Sequence, residues 1–235
     1  MSVVVVLITG ANRGIGFELT KQYLTKGWRV IATCKNKNSS VELNVLKNKY
    51  SDKLLIESLD ITLPEQIEQL ANTLSFKNLK LDLIVNNAGY LDRENQHIHT
   101  IHYADAEMCF KVNSLGPLFL THCFLPLMNK ERLSKIAIIS SIMGSLSLKQ
   151  NVAWYGYRMS KAAANMLAVN LSTELADDNV AVVAVHPGWV QTDMGGTSAK
   201  ENVEDSAHGI VKVINHLSLS NTGTFYDFSG EELPL

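Results

Sequence analysis

Short apolar runs rich in β-branched residues alternate along the chain with longer stretches whose apolar positions recur every three to four residues. Residues 3–8 are apolar without alternation, the pattern of a strand covered on both faces. Similar runs at 28–33, 53–59, 81–85, 135–139, 180–185 and 223–228 predict a parallel sheet of about seven strands. Between them the spacing predicts helices over 17–26, 41–50, 63–74, 105–128, 154–176 and 202–217. Ile67, Leu70, Ala71 and Leu74 form the buried stripe of the third helix; Thr62, with Glu65 three residues on, reads as its capping box. In the long fourth helix Phe110, Val112, Leu115, Phe119 and Leu120 are the expected core, and Gly116-Pro117 marks a local bend.

The first strand runs into Thr9-Gly10-Ala11-Asn12-Arg13-Gly14-Ile15-Gly16. Glycines let a backbone turn tightly and lie close to a ligand. A helix starting near Arg13 aims unpaired N–H groups and its positive dipole end into that turn, where a phosphate can sit. No Lys-Ser or Lys-Thr follows Gly16, which excludes a P-loop. Two readings remain: a glycine-rich turn without a ligand, or a dinucleotide pyrophosphate site in a Rossmann-type, doubly wound α/β fold with helices on both faces.

The second strand's end bears on the cofactor. An acid there accepts the ribose hydroxyls of NAD; this chain has Thr33-Cys34-Lys35-Asn36-Lys37 instead. Arg13 and Lys35 can converge on a 2′-phosphate, so the expected cofactor is NADP(H); the competing reading of Lys35 and Lys37 is a solvated loop. Asp60, after the third strand, is either an acceptor for the adenine amino group or a loop carboxylate. Asn86-Asn87-Ala88-Gly89 follows the fourth strand, at the edge where open α/β sheets bind ligands.

Tyr157 and Lys161 are four residues apart and share one face of a helix. A neighbouring ammonium favours phenolate and is expected to lower the Tyr157 pKa. A phenol so tuned can protonate a developing alkoxide, or take a proton in reverse, and Ser141, from the neighbouring strand end, can hydrogen-bond the same oxygen. Asn113 is polar within an apolar helix and must be hydrogen-bonded if buried; there it holds a water or distorts the helix. Pro187-Gly188 fixes a turn at the sixth strand's end, with Thr192 available for a carboxamide. His186 is read as structural.

Composition narrows the field. The 235 residues carry a net charge of −2, which gives no support for a nucleic-acid surface. Cys34, Cys109 and Cys123 are too dispersed for a disulfide framework or zinc site, which favours the cytosol. The N-terminal apolar run is too short for a signal peptide, and no segment reads as a membrane span. His97, His99 and His102 lack an acidic ligand set and read as an exposed loop, so no metal is expected.

Together, Thr9-Gly10 through Gly14-Ile15-Gly16, Asp60, Asn86-Asn87-Ala88-Gly89, Asn113, Ser141, Tyr157 with Lys161, and Pro187-Gly188 resemble the short-chain dehydrogenase/reductase family across essentially the whole chain. Within it, Ala32-Thr33-Cys34-Lys35 and His186-Pro187-Gly188-Trp189-Val190-Gln191-Thr192-Asp193-Met194 look like the C-factor and sniffer-type carbonyl reductases. The resemblance implies strand order 3-2-1-4-5-6-7 in a single domain over 1–235, with a short substrate loop near 190–205. It implies a catalytic tetrad of Asn113, Ser141, Tyr157 and Lys161. It also implies an NADP(H) site built from Gly10, Asn12, Arg13, Gly14, Ile15, Gly16, Lys35, Asp60, Ile61, Asn87, Ala88, Gly89, Tyr157, Lys161, Pro187, Gly188, Val190 and Thr192. The gap from Ser141 to Tyr157, lengthened through 147–153, leaves Ser145 as the alternative serine. The expected reaction is reduction of a small aldehyde, ketone or quinone; the alternatives are an NADP(H)-binding signalling protein or an NAD-linked alcohol dehydrogenase. Homodimers or homotetramers are expected from the family's habit.

Overall fold

In the computed structural model, which describes residues 3–148 and 153–235, seven parallel strands form one sheet: β1 (Val5–Ile8), β2 (Arg29–Cys34), β3 (Leu54–Ser58), β4 (Leu83–Asn86), β5 (Ser134–Ile139), β6 (Val180–His186) and β7 (Phe225–Asp227). Their order is β3-β2-β1-β4-β5-β6-β7. The connecting helices are α1 (Gly14–Thr25), α2 (Val41–Lys49), α3 (Pro64–Phe76), α4 (Tyr103–Phe110), α5 (Gly116–Phe124), α6 (Tyr155–Glu174) and α7 (Val203–His216). The order reverses between β1 and β4, whose carboxyl ends open a crevice for ligand.

Both sheet faces are covered, which explains why the strands read as continuous apolar runs. On one face Val6, Ile8 and Val30 pack with Leu19 and Tyr23 of α1 and Ile210 of α7. On the other, Leu7, Ile31 and Ile136 pack with Ile67 of α3, Phe124 of α5 and Leu167 of α6. The expected stripe of Ile67, Leu70, Ala71 and Leu74 is buried.

Several local expectations change. Thr62 does not cap α3; the cap position is Leu63, without a side-chain cap bond, because the Thr62 hydroxyl donates to Asp60 Oδ1 at 2.7 Å. The single helix expected over 105–128 is α4, a π turn at Lys111–Leu115 and then α5. The wider turn shifts the helical phase, and Leu115 is exposed rather than core. Most element ends move by a residue or two. Part of the 147–153 lengthening, residues 149–152, lies outside the described residues.

At the opposite end of the strands from the crevice, buried Asp82, just before β4, ties β1 to the loop that leads into β5. It accepts from Val5 N at 2.7 Å, Asn129 Nδ2 at 2.9 Å and the Arg132 guanidinium at 2.5 and 2.7 Å.

Candidate active site

The site is a cleft of about 960 Å³ along the carboxyl ends of the strands. Its floor is the turn between β1 and α1. Gly10 and Gly14 have φ of +63° and +52°, a region that glycine enters without steric cost. At Gly16 a Cβ would lie 2.4 Å from both Asn87 Nδ2 and Gly10 O, so only glycine fits. Asn87 fixes the turn by donating from Nδ2 to Thr9 O at 2.8 Å and Gly10 O at 3.1 Å. Thr9 Oγ1 accepts from the backbone N–H groups of Asn87 and Ala88, both at 3.0 Å. The start of α1 has no side-chain cap and no acid in its first turn. Its N–H groups and dipole face the cleft uncompensated, the arrangement that suits a phosphate.

Fifteen of the sequence-predicted residues line this cleft: Gly10, Asn12, Arg13, Gly14, Ile15, Gly16, Lys35, Ile61, Asn87, Ala88, Gly89, Tyr157, Lys161, Pro187 and Thr192. Asp60, Asn113, Ser141, Gly188 and Val190 are not among its lining residues but adjoin ones that are. The two cations proposed for one phosphate are both paired with carboxylates: Arg13 with Asp193 at 2.9 Å, and Lys35 with Asp60 at 2.9 Å. Burial alone would raise the Asp60 carboxyl, but hydrogen bonds from Lys35 and Thr62 outweigh it and hold the pKa below its ordinary value. Gly188 has φ +85°, and a Cβ there would meet Glu201 and Phe228 within 2.9 Å. Val190 is buried, and its carbonyl accepts from Thr192 Oγ1 at 3.3 Å.

The chemical end is carried by α6. Tyr157 and Lys161 are buried on the same face, with Lys161 Nζ 5.6 Å from the Tyr157 ring centroid. The expected lowering of the phenol pKa is not found. Burial pushes Tyr157 up to about 12, and the hydrogen bond from Ser141 offsets only part of the rise. The Lys161 ammonium donates to Ile139 O at 2.8 Å instead of compensating the phenol, and burial pushes it down to about 8. Desolvation therefore dominates both groups.

Ser141 begins a short turn, accepting from Met143 N at 3.1 Å. Its alternative, Ser145, donates instead to Leu235 O at 3.4 Å. Asn113 lies inside the π turn. Its Oδ1 accepts from Tyr90 N and its Nδ2 donates to Tyr90 O, both at 2.9 Å; Nδ2 also donates to Ser160 Oγ at 2.9 Å. Ser160 in turn donates to Tyr157 O at 2.7 Å. Asn113 thus ties the wall beside Gly89 to the Tyr157 turn of α6. His186 ends β6 with Nδ1 unpartnered, and burial pushes its pKa down to about 4, so it stays neutral.

Sequence reasoning missed the wall on the substrate side. Tyr90, Ala104, Asp105 and Met108 line the cleft beside Tyr157; the missing signal was the helix start at Tyr103, within a stretch read as loop. It also missed Asp193, whose pairing with Arg13 is set by the path of the loop after β6 and leaves no mark in the sequence. The histidines at 97, 99 and 102 are exposed. No cluster of three or more His, Cys, Asp or Glu suited to a metal occurs among the described residues. Among the same residues no helix is long and apolar enough to cross a membrane.

Residues 4–203 match the short chain dehydrogenase family. The chain belongs to that family. This dehydrogenase is 40% identical to the C-signal protein of Myxococcus xanthus over 154 residues, 66% of this chain and 92% of the relative. In structure it is similar to the carbonyl reductase Sniffer of D. melanogaster, with a TM-score of 0.93 at 29% identity over all of both chains. It is also similar to an NADPH-bound carbonyl reductase from chicken fatty liver, with a TM-score of 0.91 at 34% identity, again over all of both chains. The dehydrogenase is thus an oxidoreductase with the carbonyl-reductase architecture.

Proposed function

We propose that this dehydrogenase uses NADP(H) to reduce the carbonyl of an aldehyde, ketone or quinone, with Tyr157 as the acid. The carrying observation is the buried Tyr157 phenol, hydrogen-bonded by Ser141, with Lys161 over its ring and in one cleft with the glycine turn. The donor set fits the cofactor. The uncapped start of α1 suits a pyrophosphate, Arg13 and Lys35 suit a 2′-phosphate, and β2 ends without an acid at the ribose position. The NADPH carried by the chicken protein supports the same choice.

When bound, the nicotinamide supplies the hydride; the chain's residues govern the proton and the geometry. Tyr157 Oη, held protonated by burial, donates to the carbonyl oxygen as negative charge develops there. Ser141 Oγ hydrogen-bonds that oxygen and stabilises the charge. Lys161, anchored on Ile139 O, would offer its remaining donors to the nicotinamide ribose. Asn113 holds the Tyr157 turn in register, while Pro187 and Thr192 shape the wall on the nicotinamide side. Met108 and Met194 supply apolar surface along the cleft, which favours hydrophobic carbonyl compounds over highly polar ones.

The test is oxidation of NADPH, followed at its absorbance, with a panel of aromatic aldehydes, ketones and quinones, and NADH run in parallel. The expected result is carbonyl-dependent turnover at least about 10-fold more efficient with NADPH, because two cations face the extra phosphate. No turnover with any carbonyl would remove the reductase reading, and a preference for NADH would overturn the cofactor assignment. The likeness to C-signal favours a second reading, an NADP(H)-binding protein that signals with little turnover. The intact Ser141–Tyr157–Lys161 arrangement weighs against it.

A further inference from the structure

The loop from Val190 to Gly196 crosses the cleft and is fastened on two sides at one residue. Asp193 Oδ2 accepts from Arg13 of the glycine turn at 2.9 Å. The carbonyls of Asp193 and Met194 accept from the Arg93 guanidinium, the latter at 2.6 Å. Within the loop, Gly195 N donates to Thr192 Oγ1 at 3.0 Å and Gly196 N to Thr192 O at 2.8 Å, so the segment is a compact turn. Asp193, Arg13 and Thr192 all line the cleft. The Asp193 carboxylate thus occupies the guanidinium that the proposed function assigns to the cofactor's 2′-phosphate.

We propose that Asp193 is a cofactor-specificity residue, an internal stand-in for the 2′-phosphate that keeps Arg13 paired until a phosphorylated adenosine displaces it. The inference rests on the NADP(H) reading. The contact is a single one, from Arg13 Nη1 to Asp193 Oδ2; a carboxylate oxygen and a phosphate oxygen compete for that donor and for the same positive charge. Displacement lowers the apparent affinity for 2′-phosphorylated ligands and leaves ligands without that phosphate unaffected. It also frees the loop's Asp193 side chain while Arg93 still holds the loop backbone, so the loop is not released outright. The ion pair is exposed, with side-chain accessibilities of 71% and 75%. Solvent and salt therefore limit the competition to a few-fold effect that fades at high ionic strength.

The probes are NADPH, NADH and adenosine 2′-monophosphate, titrated calorimetrically against the full chain as wild type, Asp193→Asn, Arg13→Gln and the double variant. Asp193→Asn is expected to tighten NADPH and adenosine 2′-monophosphate about threefold at low salt and to leave NADH unchanged. In the Arg13→Gln background the same substitution should change nothing, because the coupling runs through the guanidinium. Equal tightening of NADPH and NADH would mean a general charge effect and would overturn the proposal. So would weaker NADPH binding, unchanged NADPH binding, or an effect that survives Arg13→Gln. Wild-type protein that failed to prefer 2′-phosphorylated ligands would instead overturn the NADP(H) reading, which separates the two failures.

Discussion

Tyr157 and Lys161 show how desolvation can outweigh a neighbouring charge. Spacing alone places an ammonium beside a phenol and predicts a lowered phenol pKa. In the fold both groups are buried, and each is driven toward its neutral form: Tyr157 to about 12 and Lys161 to about 8. A neutral phenol is the form required to protonate an alkoxide, so burial serves the reductive direction. Lys161 also carries a testable pH signature. Its pKa is about 8 when folded against an ordinary 10.5. Between those values the unfolded chain binds more protons than the folded one, so this residue's contribution to stability rises with pH across that window. Urea unfolding of wild type and Lys161→Met should show the wild type gaining on the variant from about pH 8 to about pH 10. A pH-independent difference would mean that the folded amine titrates normally.

At the scale of elements, the β1 turn and α1 were legible because each feature has a local cause. Gly10, Gly14 and Gly16 are required by positive φ or by contact, and Gly27, at φ +85°, follows the end of α1. Gly16→Ala should cost about 1–3 kcal/mol from overpacking against Asn87 and Gly10 O, and NADPH affinity should fall with it. Thermal unfolding and a cofactor titration on the same variant check both effects; an unchanged titration would detach the turn from the cofactor. The helix carrying Asn113 was less legible. Its polar side chain inside an apolar run pointed to a distorted ladder, and the π turn lies there. The phase change that exposes Leu115 was not read, since a one-residue shift inside a mostly apolar stretch leaves the stripe compatible with a regular helix. Thr62 and Glu65 matched a capping box, yet the helix starts after Leu63 and the Thr62 hydroxyl bonds Asp60 two residues back, a competing local turn that the motif does not reveal.

Across the whole molecule, apolar runs and the motifs that end them marked the strands and the ligand edge, while the strand order followed from the family resemblance and is the one observed. The partners of charges at long separation stayed hidden. Arg13 meets Asp193, and Lys35 meets Asp60, only once the sheet brings their loops together. Asp82 is the structural counterpart at the far edge. Its carboxylate accepts from β1, Asn129 and Arg132 while nearly wholly buried. Removing it takes the acceptor from the buried Val5 N–H and one partner each from Asn129 and Arg132, so Asp82→Ala should destabilise the fold by about 1–3 kcal/mol. Chemical denaturation measures this, and a loss within experimental error of zero would show that the network contributes nothing net. The site lies at the opposite end of the strands, so cofactor affinity in the folded fraction should be retained.

The reductase assignment rests on one proton, the one carried by Tyr157 Oη. Its most direct test is carbonyl-dependent NADPH oxidation by Tyr157→Phe, with NADPH affinity measured on the same preparation. Loss of the proton donor should reduce kcat by at least about 100-fold, with NADPH affinity within about twofold of wild type, since the removed hydroxyl faces the substrate oxygen. Turnover close to wild type would contradict the assignment of Tyr157 as the acid.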